Sequence, residues 1–239
     1  MFCLGAKAQE KKYLAGFGAA TTLDTYLTQE HYAGTETRFY FEKTKPFRRD
    51  SLLSYSLIPQ LHMSYTQPRS KNAYDFAGLL EFSYGMQYRI ITAGNIKIDA
   101  GADANIFIGG IYNSRNGNNP AQLKTGMELA PTLKAAYKFH LLKKQMTLKY
   151  KVRMPIAGLQ FSPAYGQSYY EIFTQGNYDH NICLTSPLNA ATLWQMLTVD
   201  IPIKKKSLTF GYLGDYRQAK LNNLKFHNFS HLFIIGISL

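Results

Sequence analysis

Long runs of strict apolar–polar alternation constrain this chain more than any other feature. In the stretch MTLKYKVRMPI (146–156), apolar residues occupy the even positions, and the odd positions hold one threonine, three cations and a proline. Successive side chains of a β-strand point to opposite faces, so this spacing predicts a strand with one apolar and one cationic face.

The same alternation recurs along the chain and predicts long strands throughout. It is clearest in four further segments: 52–66, 75–90, 96–108 and 127–141. Each is at least as long as a tilted membrane-spanning strand, which needs about 9–11 residues, and no stretch approaches the roughly 20 consecutive apolar residues of a helical span.

The connections between these segments alternate between two kinds. Short or charged turns are predicted at 44–50, 92–95, 142–145 and 203–207, and longer polar links at 28–34, 66–72, 113–121 and 162–189. Outer-membrane barrels have short periplasmic turns and longer extracellular loops. The pattern predicts an all-β fold, a transmembrane antiparallel up-and-down β-barrel. Ten strands are favoured, with eight and twelve as alternatives: 13–27, 33–43, 52–66, 74–91, 96–113, 121–141, 146–161, 190–203, 207–220 and 223–239.

Alternation alone does not distinguish a membrane barrel from a soluble one, because soluble barrels bury the apolar face and membrane barrels expose it to lipid. Two features favour the membrane. Aromatic residues lie near strand ends on the apolar face, as in the interfacial girdles of membrane proteins: Tyr55, Tyr65, Tyr84, Tyr88, Tyr137 and Phe139. Small residues such as Ser56 and Gly85 on the polar face suit a narrow lumen. A secreted soluble barrel is the alternative.

The first nine residues, MFCLGAKAQ, are similar to the end of a secretory signal peptide. Apolar residues precede Ala6-Lys7-Ala8, a small-x-small cleavage pattern. We therefore expect residues 1–9 to be a residual signal peptide and 10–239 a single outer-membrane β-barrel domain, with a frayed cytosolic N-terminus as the alternative. Cys3 lies in the leader, which leaves Cys183 alone, so we expect no intramolecular disulfide and no cysteine metal cluster. We also expect no cofactor.

The net charge of +12 comes from 27 basic and 15 acidic residues. The basic residues are scattered, and the chain has 18 tyrosines and 15 phenylalanines. Nucleic-acid binders concentrate their basic residues, so we expect no nucleic-acid partner.

Instead, the polar strand faces predict a network of ion pairs inside the barrel. Strands two to five direct acids inward with some bases among them: Glu36, Glu42, Asp75, Glu81, Asp99, Asp103, Arg38, Arg89 and Lys97. Strands six and seven direct mainly bases inward: Lys124, Lys134, Lys138, Lys149, Lys151 and Arg153, with Glu128. Asp200, Asp215 and Arg217 of the last strands are expected to join them. Strand seven lies across from strand two, and burial favours pairing of opposite charges, so we predict a plugged lumen. A hydrated narrow channel is the alternative.

The segment 162–189, expected as a long extracellular loop, contains the residue types of a hydrolytic triad. Asp179, His180 and Ser186 could supply an orienting acid, a base and a hydroxyl, although no spacing rule links them and ordinary loop packing is the competing interpretation. His227 and His231 lie about 13 Å apart along a strand, too far to share a metal ion.

The C-terminal third has the most distinctive sequence: MPIAGLQFSPAYGQSYYEIF (154–173), YDHNICLTSPLNAATLWQMLTVDIPI (178–203) and LTFGYLGDYRQAKLNNLKFHNFSHLFIIG (208–236). It resembles an uncharacterised family of small outer-membrane β-barrel proteins of Bacteroidota. The resemblance implies location in the bacterial outer membrane of a Gram-negative cell and no particular activity.

Three functional hypotheses follow. The first is a non-enzymatic structural or surface-binding barrel whose loops contact outer-membrane lipid, lipopolysaccharide or another envelope protein. The second is a rim hydrolase that acts on lipid or lipid A through Asp179, His180 and Ser186. The third is a narrow passive pore.

Overall fold

A computed structural model describes residues 9–48, 52–142, 144–204 and 206–239. Residues 1–8 of the predicted signal peptide, which include Cys3, lie outside the described residues.

In the described residues, twelve strand segments and one short helix follow one another along the chain: β1 (Glu10–Asp24), β2 (Tyr32–Pro46), β3 (Leu53–Pro68), β4 (Asp75–Ala93), β5 (Ile96–Asn113), β6 (Ala121–Leu141), β7 (Lys144–Arg153), β8 (Ala157–Phe161), α1 (Tyr169–Phe173), β9 (Ile182–Thr185), β10 (Thr192–Ile203), β11 (Lys206–Leu221) and β12 (Leu224–Ser238). Segments β7 and β8 pair with successive parts of β6 and form one barrel strand, interrupted at 154–156, where Pro155 cannot donate a ladder hydrogen bond. Segments β9 and β10 form the next strand, interrupted at 186–191.

The ten resulting strands form a closed antiparallel barrel. Each strand pairs with its neighbours in the order β1 to β7, β10, β11, β12. The pairing of β12 with β1 closes the barrel, and Lys11 and Leu239 exchange two backbone hydrogen bonds of 3.0 and 2.8 Å beyond it. The predicted fold class is confirmed, with ten strands.

The alternation determines which side chains face outward. On β4, Phe76, Leu80 and Phe82 are exposed on the outer surface. The intervening residues Glu81 and Ser83 are buried inside the barrel. The inside is therefore the polar side of most strands, as expected for a membrane barrel.

The two ends of the barrel differ. We call the end at which β1 begins, at Glu10, and β12 ends, at Ser238, the turn end. One of its hairpins has a two-residue turn, Gly94–Asn95, in which Gly94 adopts φ +52 between paired Ala93 and Ile96. A positive φ at the first position is the type II′ geometry that suits twisted strands and favours glycine.

The opposite end, here called the loop end, holds the connections 25–31, 69–74, 114–120 and 162–181. The hairpin of β11 and β12 turns there at Asn222 and Asn223, both with positive φ, a conformation that asparagine tolerates. The segment 162–189, expected as one loop, contains α1 and β9, because residues 182–185 pair with β8. None of the helices among the described residues is long and apolar enough to cross a membrane.

Candidate functional site

The lumen is closed near mid-height by a cluster of buried charges centred on Arg38. Its Nη1 donates a hydrogen bond to Asp215 Oδ2 at 2.8 Å, and its Nε donates to Glu36 Oε1 at 2.8 Å. All three side chains are buried. Arg217 Nη2 also donates to Asp215 Oδ2, at 2.9 Å.

Glu81 extends this cluster across the barrel. Arg217 of β11 forms an ion pair with one carboxylate oxygen of Glu81, and Arg153 of β7 donates to the other at 3.2 Å. His62 Nε2 of β3 lies 3.3 Å from the same oxygen. We name Glu36, Arg38, Glu81, Arg153, Asp215 and Arg217 the central ion cluster; it joins strands β2, β4, β7 and β11 through the lumen.

Further ion pairs lie in the lumen on the turn-end side of this cluster. Lys134 Nζ of β6 donates to Glu42 Oε1 of β2 at 2.8 Å. On β7, Lys151 Nζ lies 3.4 Å from Asp103 Oδ2 of β5, and Lys149 Nζ lies 2.8 Å from Asp200 Oδ2 of neighbouring β10. Basic side chains of β6 and β7 thus contact acids of β2, β4, β5 and β10.

An apolar layer packs inside the barrel beside the charges. The rings of Tyr40 and Trp194 stack with centroids 6.1 Å apart, and the Arg153 guanidinium lies 5.1 Å from the Trp194 ring. Six aliphatic or methionine side chains complete the layer: Leu14, Ile58, Met196, Leu213, Leu232 and Ile234. Since these side chains and the central ion cluster are buried together, they form a plug.

Above the plug, the segment 162–181 covers the loop end. Tyr26, in the connection after β1, donates from its hydroxyl to the carbonyl of Gln167 at 3.1 Å, and its ring meets Tyr169 edge-on at 5.8 Å. Asn222 Nδ2 donates to the carbonyls of Ser162 and His180, both at 2.9 Å. The segment leaves the barrel after β8, and the strands β10, β11 and β12 separate β7 from β1 around the barrel wall. Its contacts with Tyr26, which follows β1, therefore show that the segment crosses the mouth.

Local hydrogen bonds and side-chain packing anchor this cover. Ser168 and Glu171 form a capping box at the start of α1, in which the Ser168 amide donates to Glu171 Oε2 at 2.6 Å. These hydrogen bonds from Ser168 lower the pKa of Glu171. Ile172 of α1 is fully buried, and the amide of Leu123 on β6 donates to the Tyr169 hydroxyl at 2.6 Å. Burial first, and then the nearby charges of Asp24 and Glu171, raise the pKa of Tyr26 to about 12.

The three residues of the hydrolase hypothesis do not form a hydrogen-bonded triad. Asp179 Oδ1 lies 2.8 Å from His180 Nδ1, but both side chains are about 80% exposed. Ser186 Oγ instead accepts from the amide of Leu188 at 3.3 Å and lies 3.5 Å from Asn189 Oδ1. Within the described part of the chain, no hydrogen bond joins Ser186 to His180.

The residues expected in the ion network are distributed through the lumen. Arg89 and Asp99 pair with each other near the turn end. Asp75, at the loop end, accepts a hydrogen bond from Asn113 at 2.6 Å. No carboxylate of the described residues lies within ion-pair distance of Lys138. His227 and His231 lie on the outer face, where Tyr212 Oη is 2.7 Å from His231 Nδ1.

The sequence of this chain matches a known protein family. The model of the family described as "Protein of unknown function (DUF3316)" matches residues 6–238. The chain belongs to the DUF3316 family. The comparison with curated proteins gave no match.

Among solved structures, this DUF3316 chain is similar to the outer membrane protease OmpT from Escherichia coli, with a TM-score of 0.54 and 6% identity, over 100% of this chain and 98% of OmpT. The translocator domain of the autotransporter NalP from Neisseria meningitidis has a TM-score of 0.40 and 9% identity, over 99% of this chain and 89% of that domain. Ail, the attachment invasion locus protein of Yersinia pestis, has a TM-score of 0.24 and 9% identity, over 95% of this chain and 97% of Ail. The likeness to OmpT shows a shared outer-membrane β-barrel fold.

Sequence reasoning missed the apolar layer of this DUF3316 barrel. The signal that could have revealed it is the run HLFIIGISL (231–239), in which Leu232 and Ile234 interrupt the alternation with Phe233 and Ile235. A continuous apolar run indicates a strand that is apolar on both faces, so the lumen opposite β12 had to contain apolar partners.

Proposed function

We propose that this chain is an integral outer-membrane protein that does not conduct, and that it binds a partner at the cell surface through the cover formed by 162–181. In this proposal the turn end faces the periplasm and the loop end faces the exterior. The outer-membrane β-barrel fold and the exposed apolar outer face support the location.

The distribution of aromatic pairs on the outer face also supports a membrane position. Tyr65 stacks on Tyr74 near the loop end, with centroids 5.7 Å apart. Tyr137 stacks on Phe139 near the turn end, at 6.2 Å. Aromatic side chains at both ends of an apolar band match the two interfacial girdles of a membrane barrel.

The observation that carries the non-conducting assignment is the plug. The side chains of the central ion cluster bridge strands on different sides of the lumen, and the Tyr40 and Trp194 layer packs beside them. A hydrated ion would have to break several buried charge pairs to pass, and each costs about 3–5 kcal/mol to disrupt by loss of one partner.

The composition of the cover supports a binding role. Tyr165, Tyr170 and Tyr178 are between 62% and 73% exposed, although they lie on a segment that is held by hydrogen bonds and by buried Ile172. Tyrosine is enriched at protein interfaces because it offers a large contact area and loses little conformational freedom. We assign no catalysis to the rim, since no hydrogen bond in the described residues joins the Asp179–His180 pair to a hydroxyl.

The non-conducting assignment is tested by planar-bilayer recording of the purified, folded protein. We expect no discrete current steps from the wild type. A variant that removes the 162–181 cover but keeps the plug should also remain silent, because the block lies below the cover. Stable single-channel currents from the wild type would refute the assignment.

The binding role is tested by crosslinking on intact cells that carry the tagged protein. A crosslinked species should form with the wild type and disappear when Tyr165, Tyr170 and Tyr178 are all changed to serine. The control is Tyr74→Ser, the same chemical change outside the cover. A species that survives in the triple variant, or is lost equally in the control, would assign binding to another surface.

A further inference from the structure

Between the plug and the turn end, the lumen contains a cavity of about 340 Å³, here called the vestibule. Its lining includes seven lysine or arginine side chains and three carboxylates. The lining therefore has an excess of four positive charges. Asp103 and Asp200 lie outside the lining but contact Lys151 and Lys149, and counting them leaves an excess of two positive charges. Lys204 and Lys206 line an adjoining cavity of about 350 Å³ and add positive charge at the rim.

Lys12 is a buried cation of the vestibule whose donors are not used. It is only 9% exposed, and its Nζ lies 3.9 Å from Glu10 and 4.0 Å from Glu42, beyond hydrogen-bond distance. Among the described residues its Nζ makes no hydrogen bond. Because Lys12 lines the vestibule and its ammonium group has no hydrogen-bond acceptor among these residues, its donors are available to an acceptor inside the cavity.

Lys151 is in a similar position on β7. It is 6% exposed, its nearest carboxylate oxygen is Asp103 Oδ2 at 3.4 Å, and no hydrogen bond from its Nζ is found within the described ranges. Lys134 shows the contrast, since its Nζ donates to Glu42, Ser56 and Gln87 at 2.8, 3.2 and 3.3 Å. Two of the vestibule's buried cations therefore have unused donors, and a third is satisfied.

Lys138 is a further cation of the vestibule and lies nearer the turn end. It lines both the vestibule and the adjoining cavity, and no carboxylate of the described residues pairs with it. Lys12, Lys138 and Lys151 lie on β1, β6 and β7, so their ammonium groups converge on the vestibule from different parts of its wall.

We propose that the vestibule binds a phosphate group, with Lys12 and Lys151 as donors on its inner side and Lys138 as a donor nearer the turn end. A phosphate presents several oxygens in a tetrahedral arrangement and carries more charge than a carboxylate, so it can accept from three separate ammonium groups. Because the plug closes the inner end, the phosphate enters and leaves by the turn end. The vestibule is a binding site and not a route of passage.

The phosphate could be free or part of an ester, and titration calorimetry of the detergent-solubilised wild type distinguishes the two. Inorganic phosphate, glycerol 3-phosphate and acetate are titrated separately at one ionic strength set with sodium chloride. We expect saturable one-site binding of at least one phosphate compound and none of acetate. Tighter binding of glycerol 3-phosphate assigns the site to an ester, and equal or tighter binding of inorganic phosphate assigns it to the free anion.

Substitutions locate the site. Lys138→Gln should weaken binding by about tenfold, the loss expected when one charge-assisted hydrogen bond is removed. The same change at Lys12 should weaken it at least as much, with folding checked by the heat-modifiable gel shift of the barrel. The matched control is Lys43→Gln, because Lys43 follows inward-facing Glu42 on β2 and points away from the lumen.

Three results would overturn the proposal. The first is the absence of saturable phosphate binding at constant ionic strength. The second is acetate binding as tight as phosphate binding. The third is an equal loss in Lys43→Gln and Lys138→Gln, which would show only a general effect of net charge.

Discussion

Replacing Arg38 by methionine tests whether the lumen is dry and plugged. Arg38 is fully buried and makes three charge-assisted hydrogen bonds, two to Glu36 and one to Asp215. At an effective dielectric constant near 20, one such pair at this separation is worth about 6 kcal/mol before desolvation is subtracted. Removal of one partner of a buried pair leaves the other charge stranded, which costs about 3–5 kcal/mol. We therefore expect Arg38→Met to lower the free energy of unfolding by that amount.

The molecule contains a matched control for this substitution. Arg115 and Glu30 lie in loop-end connections and have the same N–O distance of 2.8 Å, but their side chains are 51% and 48% exposed. An exposed pair contributes roughly 0–1 kcal/mol, so Arg115→Met should be nearly silent. The two substitutions differ mainly in the burial of the pair.

The measurement is equilibrium unfolding by guanidinium chloride in lipid vesicles, followed by Trp194 fluorescence. The double variant Arg38→Met with Glu36→Leu should recover part of the loss, because Glu36 has no second arginine partner among the described residues, whereas Asp215 keeps Arg217. If Arg38→Met cost no more than Arg115→Met, water would be reaching Arg38 and the lumen would not be plugged.

Four further predictions concern the outer face, the apolar layer and the cover. Val152→Lys places a cation on the lipid-facing side of β7. It should make insertion into vesicles less favourable by about 2–4 kcal/mol if Val152 lies at mid-membrane. Trp194→Ala removes the largest buried side chain and should cost about 3–5 kcal/mol of unfolding free energy, measured by circular dichroism. Ser168→Ala removes the cap of α1 and should make 162–181 more sensitive to protease, by about 1 kcal/mol of local opening free energy. Because the pKa of Glu171 is lowered in the folded chain, its contribution is present above its usual value of 4.5 and is lost as the pH falls below it, so cleavage at 162–181 should increase in acid.

The strands and their faces could be predicted from local sequence. On β7, Lys149, Lys151 and Arg153 alternate with apolar residues, and the structure directs these three cations into the lumen. Most strand ends were predicted to within a few residues, because turn and loop composition marks them locally. The exception is the strand predicted at 190–203, which begins at Ile182 because β9 precedes β10. Period two is a local property of the backbone, so no tertiary information was needed.

Other features depend on contacts that the local pattern does not contain. The break at Pro155 and the pairing of β9 with β8 divide two barrel strands, and the segment 162–181 reaches Tyr26 across the mouth. Sequence composition marked 162–189 only as polar and long. Its path over the barrel follows from the contacts of Tyr26, Tyr169 and Asn222, which lie far apart in the sequence.

The sequence by itself determined that this chain forms long strands with one apolar and one polar face, because the period-two alternation is a local property of the backbone. The aromatic residues near the strand ends and the small residues on the polar face indicated that the apolar face is the exterior. Only the tertiary structure decided which charges meet. Arg38 contacts Asp215 across 177 positions of sequence, and Lys151 faces Asp103 while Lys12 has no hydrogen-bonded partner among the described residues. Those pairings depend on strand register and on barrel closure, which set the height of each side chain in the lumen.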